Sequence, residues 1–262
     1  MKKRIAIITG ASGGLGKEFV ALMMSEKIDE VWCVARNVQK LNSVKEKFGD
    51  KIVTLSFDLS EQESITSISE ILDNEQPRIA YLINSAGIGE ELSPSKEFTV
   101  EMNYKTIQLN CSALVSLCTI CIPYMQEGDH IINLSSRASF QPVPYLNLYA
   151  ATKVFVRSYT RALNVELKES GISATAVCPG WTETEMLPET CNNIEIKYPG
   201  LVSPKRVAVK ALSDAKKKKD MSVCTGYVKY MHLLSKLFPQ KAVMKSWVRS
   251  IYSMFGLERG KI

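Results

Sequence analysis

Tyr149 and Lys153 stand four positions apart, and together they are the residues of this chain best suited to proton exchange at neutral pH. On a helix the two share one face, so the ammonium lies close enough to act on the phenol. A free phenol has a pKa near ~10, and an adjacent fixed cation favours its phenolate form. Ser136, thirteen positions before Tyr149, is available to hydrogen-bond the same substrate oxygen. A Tyr and Lys at this spacing arise by chance about once in a chain of this composition, so the context has to carry the inference. That context is the stretch from Ile131 to Lys153, IINLSSRASFQPVPYLNLYAATK. It reads as a short buried strand, a loop through Ser135, Ser136, Pro142 and Pro144, and a helix entered near Tyr149.

A second stretch with chemical potential lies at the other end of the chain. An apolar strand from Arg4 to Thr9 runs into Gly10-Ala-Ser-Gly-Gly-Leu-Gly16 and then a helix from about Lys17 to Lys27. Glycines allow a tight turn and close backbone approach, and the helix N-terminus offers unpaired N–H groups to a pyrophosphate. The spacing departs from GxGxxG. It resembles instead, with the order and spacing of Ser136, Tyr149 and Lys153, the short-chain dehydrogenase/reductase family. The resemblance implies a single-domain α/β fold, a doubly wound, Rossmann-like parallel sheet of seven strands. It also implies that Tyr149 is the general acid/base, that Ser136 orients the substrate oxygen, and that Lys153 lowers the tyrosine pKa and holds the nicotinamide ribose. Gly10, Ser12, Gly14, Leu15 and Gly16 are then the phosphate turn.

Length and composition agree with one domain. The chain has 262 residues, 45% of them hydrophobic, enough for a substantial core. The apolar run Ile5 to Ile8 is too short for a secretory or spanning segment and reads as the first strand. Seven scattered cysteines, an odd number, show no disulfide framework, so reduced thiols and a cytoplasmic location are expected. Cys118 and Cys121 form a CxxC inside an apolar helix with no second pair or nearby histidine, and no metal site is expected there.

The second strand, Glu30 to Ala35, ends in Arg36 where an acidic residue would hold the ribose of NAD. Arginine suits the 2'-phosphate of NADP through charge-assisted hydrogen bonds, so NADP(H) is the expected cofactor. A solvated loop charge is the alternative for Arg36. After the third strand, Ile52 to Phe57, the resemblance implies that Asp58 and Leu59 meet the adenine; Asp58 is equally suited to cap the next helix. Asn84-Ser-Ala86-Gly87 follows the fourth strand, with Ser85 where the family usually has Asn. A long helix from Val100 to Met125 carries Asn110, which is either a satisfied core group or, by resemblance, the fourth catalytic residue holding a water beside the lysine. Pro179, Gly180, Trp181, Thr182 and Thr184 match the family's segment around the nicotinamide, Trp181 being unusually bulky and suited either to shape the pocket or to fill core.

Leu187 to Ser203 reads as a loop and short helix covering substrate. Leu187, Ile194, Ile196, Tyr198 and Leu201, with Phe140, Val143, Tyr145 and Leu146 opposite, suggest an apolar cleft. Arg137 is expected to form a structural salt bridge, with an anionic substrate group as the alternative. A final strand from Ser222 to Val228 would close the domain at residue 228, leaving two basic amphipathic helices over 229–262, packed on the same domain and broken at Pro239. From Leu201 onward there are fourteen Lys and Arg against three Asp and Glu. Such helices suit a cap over the chain's own active site or a second subunit, the favoured reading, and also permit contact with an anionic membrane. No nucleic-acid groove is indicated. Apolar faces on the helices after Val100 and Tyr149 suggest a homodimer or homotetramer. The activity implied is NADP(H)-dependent interconversion of a secondary alcohol and a ketone, on a bulky apolar substrate such as a hydroxysteroid or bile acid. A small or lipid-like carbonyl is the alternative substrate, and a non-catalytic NADP-binding regulator the alternative class.

Overall fold

The computed structural model describes residues 2–89, 92–188, 190–191 and 194–255. Seven strands form one parallel sheet: β1 (Arg4–Thr9), β2 (Glu30–Ala35), β3 (Ile52–Ser56), β4 (Arg78–Asn84), β5 (His130–Leu134), β6 (Ser173–Val177) and β9 (Met221–Ser222). A two-stranded hairpin, β7 (Thr190–Cys191) with β8 (Ile194–Glu195), stands apart from it. Alternate residues of β1 enter opposite layers. Ala6 and Ile8 pack with α1 (Gly14–Met23), α2 (Val38–Phe48) and α7 (Pro204–Lys216), while Ile5 and Ile7 pack with α3 (Gln62–Glu75), α5 (Ala113–Cys121) and α6 (Asn147–Glu166). Strands buried on both faces explain the unbroken apolar runs of the sequence.

The strand order is β3-β2-β1-β4-β5-β6-β9. The chain winds outward from β1 to β3, then returns to lay β4 on the other side of β1. A crevice opens where the winding reverses, beyond the carboxyl ends of β1 and β4, and ligands of doubly wound sheets bind there.

Four expectations are corrected. The first helix begins at Gly14, within the glycine turn, instead of at Lys17. The long helix is continuous from α4 (Val100–Ile107) to α5 but contains a π-helical turn over Gln108–Ser112, and ends in a 3-10 turn at Ile122–Tyr124. By length and apolar composition 100–124 would pass for a membrane span, but Leu114, Leu117, Cys118 and Cys121 are committed to the core against the sheet. Between Leu187 and Ser203 the described residues form the β7–β8 hairpin and no helix. Finally, β9 stops at Ser222, because the Thr225 hydroxyl accepts from the Val228 N–H at 3.2 Å and starts α8 (Gly226–Leu237) where a strand was expected. After Pro239, α9 (Gln240–Met254) folds back: Ile251 and Phe255 are buried against Ile196, and the Trp247 indole donates to Pro144 O at 2.9 Å.

Candidate active site

The glycine turn is closed by contacts that no side chain could share. Gly10 has φ +65°, and a Cβ there would lie 2.9 Å from Ala86 N; a Cβ on Gly16 would lie 2.1 Å from Gly10 O. The Thr9 hydroxyl accepts from Ser85 N and Ala86 N at 3.1 and 3.0 Å, tying the ends of β1 and β4 together. Helix α1 starts from Gly13 with no side-chain cap and no acidic residue in its first turn. Its N–H groups and positive end therefore fit an anionic group, and the glycines add no side chain of their own, although the Thr184 side chain packs against Gly14. The residues present fit a dinucleotide pyrophosphate.

At the far end of the same cleft Arg36 lies 3.6 Å from Asp58. Burial raises the Asp58 carboxyl, but hydrogen bonds from Ser60 N and Oγ (3.0 and 2.7 Å) and the Arg36 charge outweigh it and hold the group below its ordinary range. Asp58 does not cap the following helix, whose N-cap is Glu61. Leu59 also lines the cleft. Lys40, which sequence reasoning passed over, is paired with Glu185 across the opening at 3.1 Å. Its signal was faint: one lysine in the first turn of a basic helix.

The candidate reaction centre sits where β5 and α6 meet. Ser136 caps the 3-10 turn Arg137–Phe140, its Oγ accepting from Ala138 N at 3.1 Å, and it is hydrogen-bonded to the Tyr149 phenol. The Lys153 ammonium donates to Leu134 O at 2.9 Å and lies 5.6 Å from the Tyr149 ring centroid. Burial pushes Lys153 down to about 8. Burial likewise raises the Tyr149 phenol above its ordinary value, with the Ser136 hydrogen bond acting the other way. The expected lowering by Lys153 is thus not the ruling effect in the protein alone. The ammonium is itself desolvated and turned toward a backbone carbonyl.

Asn110 does not line the cleft. It stands behind it on the π turn, its Oδ1 accepting from Ile88 N and its Nδ2 donating to Ile88 O, both at 2.9 Å, with a further bond to Thr152 Oγ1 at 3.2 Å. It thereby fixes the loop at Gly87, where a Cβ would lie 3.1 Å from Asn110 Oδ1 and 3.3 Å from Lys153 Nζ. Asn84 is also displaced from its expected place: it is buried beneath the site, donating to Asn133 Oδ1 at 2.9 Å, and does not line the cleft. Asparagine at a strand end suits either a ligand or a polar core, and sequence does not separate them. The other predicted cofactor residues, Gly10, Ser12, Gly14, Leu15, Gly16, Arg36, Ala86, Gly87, Pro179, Gly180, Trp181, Thr182 and Thr184, all line one cavity with Ser136, Tyr149 and Lys153.

That cavity measures about 1470 Å³. Beyond Ser136 its wall is apolar, made by Phe140, Val143, Leu146, Leu187 and Tyr198 and completed by Met231 and Trp247 from α8 and α9. Tyr145 and Ile196 belong instead to the cluster under α9, Leu201 faces solvent, and the side chain of Ile194 lies outside the described residues. Trp181 shapes the pocket: its ring is 4.9 Å from Tyr198 and 6.4 Å from Trp247. The expected salt bridge of Arg137 is absent among the described residues. Its guanidinium stacks on Trp181 at 4.4 Å and bonds the Tyr227 hydroxyl, with burial pulling its pKa below the usual arginine value. Tyr227 was missed as a partner of Arg137 because it was read only as part of a closing strand and of an apolar helix face.

A doubly wound sheet with an uncapped glycine turn at its switch point and a Ser-Tyr-Lys group opposite defines an oxidoreductase of the dinucleotide-binding type. The family model for short chain dehydrogenases matches residues 4–194. The chain belongs to the short-chain dehydrogenase/reductase family. It is similar to an uncharacterized oxidoreductase of Staphylococcus epidermidis, 30% identical over 193 residues, 72% of this chain and 83% of that protein. An NADP-dependent 3-hydroxy acid dehydrogenase of Salmonella typhimurium is 30% identical over 178 residues, 67% of this chain and 71% of the relative. Among solved structures, a short-chain dehydrogenase from Sphingobium yanoikuyae in complex with NADPH has a TM-score of 0.76 at 24% identity, covering 99% of this chain and 98% of that one, a likeness of fold.

Proposed function

We propose that the protein is an NADP(H)-dependent reductase and dehydrogenase that interconverts a ketone and a secondary alcohol on a bulky, largely apolar substrate, in the range of a hydroxysteroid or bile acid. The observation that carries this reading is the Ser136–Tyr149 hydrogen bond, formed at the junction of the glycine-turn cleft and the apolar wall. When bound, the nicotinamide supplies or accepts a hydride. In reduction the neutral Tyr149 phenol, kept protonated by burial, hands its proton to the substrate oxygen as negative charge develops there. Ser136, held by its bond from Ala138 N, orients that oxygen. Lys153 stands beside the phenol and restores the proton. Asn110 braces the Gly87–Ile88 loop that Lys153 packs against, so it is a positioning residue.

The preference for NADP over NAD rests on Arg36 in place of an acidic residue after β2, and the NADP dependence of the Salmonella relative agrees with it. Lys40 one turn further adds a second cation near the same end. Within the expected 229–262 extension, residues 229–255 serve as a cap on the same domain, since Met231, Val243 and Trp247 line the cleft, and 256–262 lie outside the described residues. Exposed Val100, Tyr104, Ile107, Phe155 and Val165 on neighbouring α4 and α6 favour a homodimer. The test is NADP+ reduction by the purified protein, followed by absorbance, over steroid, bile-acid and aliphatic secondary alcohols. Turnover concentrated in the bulky classes is expected; tight NADPH binding with no turnover of any alcohol, or of any ketone in the reverse direction, would sink the enzyme reading.

A further inference from the structure

The guanidinium of Arg137 is the one positively charged group on the apolar wall that no described carboxylate neutralises. Asp58 is held by Arg36 and Glu185 by Lys40, while Glu97 is exposed and makes no ion pair with Arg137. The guanidinium lies over the Trp181 ring, and it bonds the Tyr227 hydroxyl. The remaining N–H groups of its planar fork keep no other described partner. A second donor stands beside it: the Trp181 indole N–H is buried and has no hydrogen-bond acceptor among the described residues. The neighbouring Trp247 N–H, in contrast, is satisfied by Pro144 O. The Arg137 guanidinium packs on the Trp181 ring one residue along from Ser136, and a buried donor left without an acceptor, as the Trp181 N–H is, is costly. A stacked arginine with a free edge matches the flat, two-oxygen shape of a carboxylate.

We infer that Arg137 and Trp181 form an anion subsite on the substrate wall, and that the natural substrate is an apolar alcohol or ketone carrying a carboxylate, which Arg137 grips while Ser136 and Tyr149 act on the carbinol or carbonyl oxygen. The inference rests on the proposed alcohol and ketone chemistry for its second half only; the subsite stands on the two donors.

The test compares each acid with its methyl ester, which keeps the skeleton and removes the charge: cholate against methyl cholate for oxidation, and 4-oxopentanoate against its methyl ester for reduction. In the wild-type protein with NADP(H), kcat/KM is expected to be roughly 10- to 100-fold higher for the acid in at least one pair, the range that one charge-assisted hydrogen-bonded contact supplies. Arg137→Leu should bring the acid-to-ester ratio near one, mainly through KM, and Arg137→Lys should leave it intermediate because the charge stays and the fork is lost. Equal efficiency for acid and ester in both wild-type pairs overturns the subsite while leaving the oxidoreductase reading intact, and needs no variant to fold. If none of the four is turned over, calorimetric titration of each into the NADP+-loaded wild type decides. Acid-selective binding that Arg137→Leu removes upholds the subsite and tells against the alcohol and ketone chemistry; binding that ignores the charge, or none, overturns the subsite.

Discussion

Two groups at the reaction centre are held away from their solution ionisation, and each makes a different prediction. The Tyr149 phenol is raised by burial and is therefore a proton donor through the neutral range. Tyr149→Phe removes the donor while leaving the ring, so turnover should fall by about 10²–10⁴-fold with NADPH affinity largely kept, measured by steady-state rates and fluorescence titration. Activity near wild type would reject Tyr149 as the acid. Lys153 has a folded pKa of about 8 against 10.5 when exposed. Because the folded form is the weaker proton binder, burial of Lys153 is a full cost below pH 8 and is relieved as pH rises from about 8 toward the unfolded value. Relative to Lys153→Met, the wild-type protein should therefore gain ~2–3 kcal/mol of unfolding free energy between pH 7 and pH 10. Urea denaturation of both at the two pH values checks it; parallel curves would show that the ammonium is not desolvated. The spacing of Ser136, Tyr149 and Lys153 was readable from sequence because a helix fixes it. The directions of their shifts were not, since they depend on how deeply α6 and the sheet bury the pair.

Each element around the site holds its shape against one neighbour. Gly16 is pressed against Gly10 O so closely that Gly16→Ala must open the turn. A loss of ~1–3 kcal/mol of stability and at least about tenfold in dinucleotide affinity is expected, measured by thermal melts and NADPH titration. An unchanged affinity would mean that the turn does not hold the phosphates. The π turn has a comparable logic. It rotates Asn110 so that its amide pairs with both backbone groups of Ile88, and Asn110→Ala would strand them at a cost of ~1–3 kcal/mol. Turnover should drop with it, because the Gly87 loop packs on Lys153; a stable but slow variant would point to a direct chemical role instead. Sequence indicated an unusual asparagine in an apolar helix but not the π turn, whose register depends on tertiary partners. The same holds for Thr225: the apolar, β-prone run through Val228 suggested a strand, and a single capping hydroxyl with no β partner beyond Ser222 decided for helix.

At the scale of the molecule, the doubly wound sheet was legible because β1 to β6 are short runs bounded by turn residues and spaced by helical segments, whereas the two-residue β9 was not delimited. The two C-terminal helices were legible as amphipathic elements suited to cap the site or meet a second subunit, but they carry no motif, and only packing puts Met231 and Trp247 on the cleft wall. One surface remains to be accounted for. The apolar face of α4 and α6, with Val165 71% exposed, should pair with a second copy. Light scattering behind gel filtration is expected to report a dimer or a multiple of it, with Phe155→Glu shifting it toward monomer. A wild-type protein that is monomeric at micromolar concentration would dismiss the interface.

The seating of α9 bears on how the protein comes into being. Trp247 closes a pocket whose reacting groups were synthesised about a hundred residues earlier, and it does so by gripping Pro144 in the loop between Ser136 and Tyr149. Domains fold as units and N-terminal parts emerge first. A nascent chain still tethered to the ribosome can thus already hold its dinucleotide crevice while its substrate chamber lacks a wall. The chamber gains that wall only once α9 has folded onto it, and a ribosome stalled before Trp247 would display a chain whose dinucleotide crevice is formed while its pocket is still open on one side.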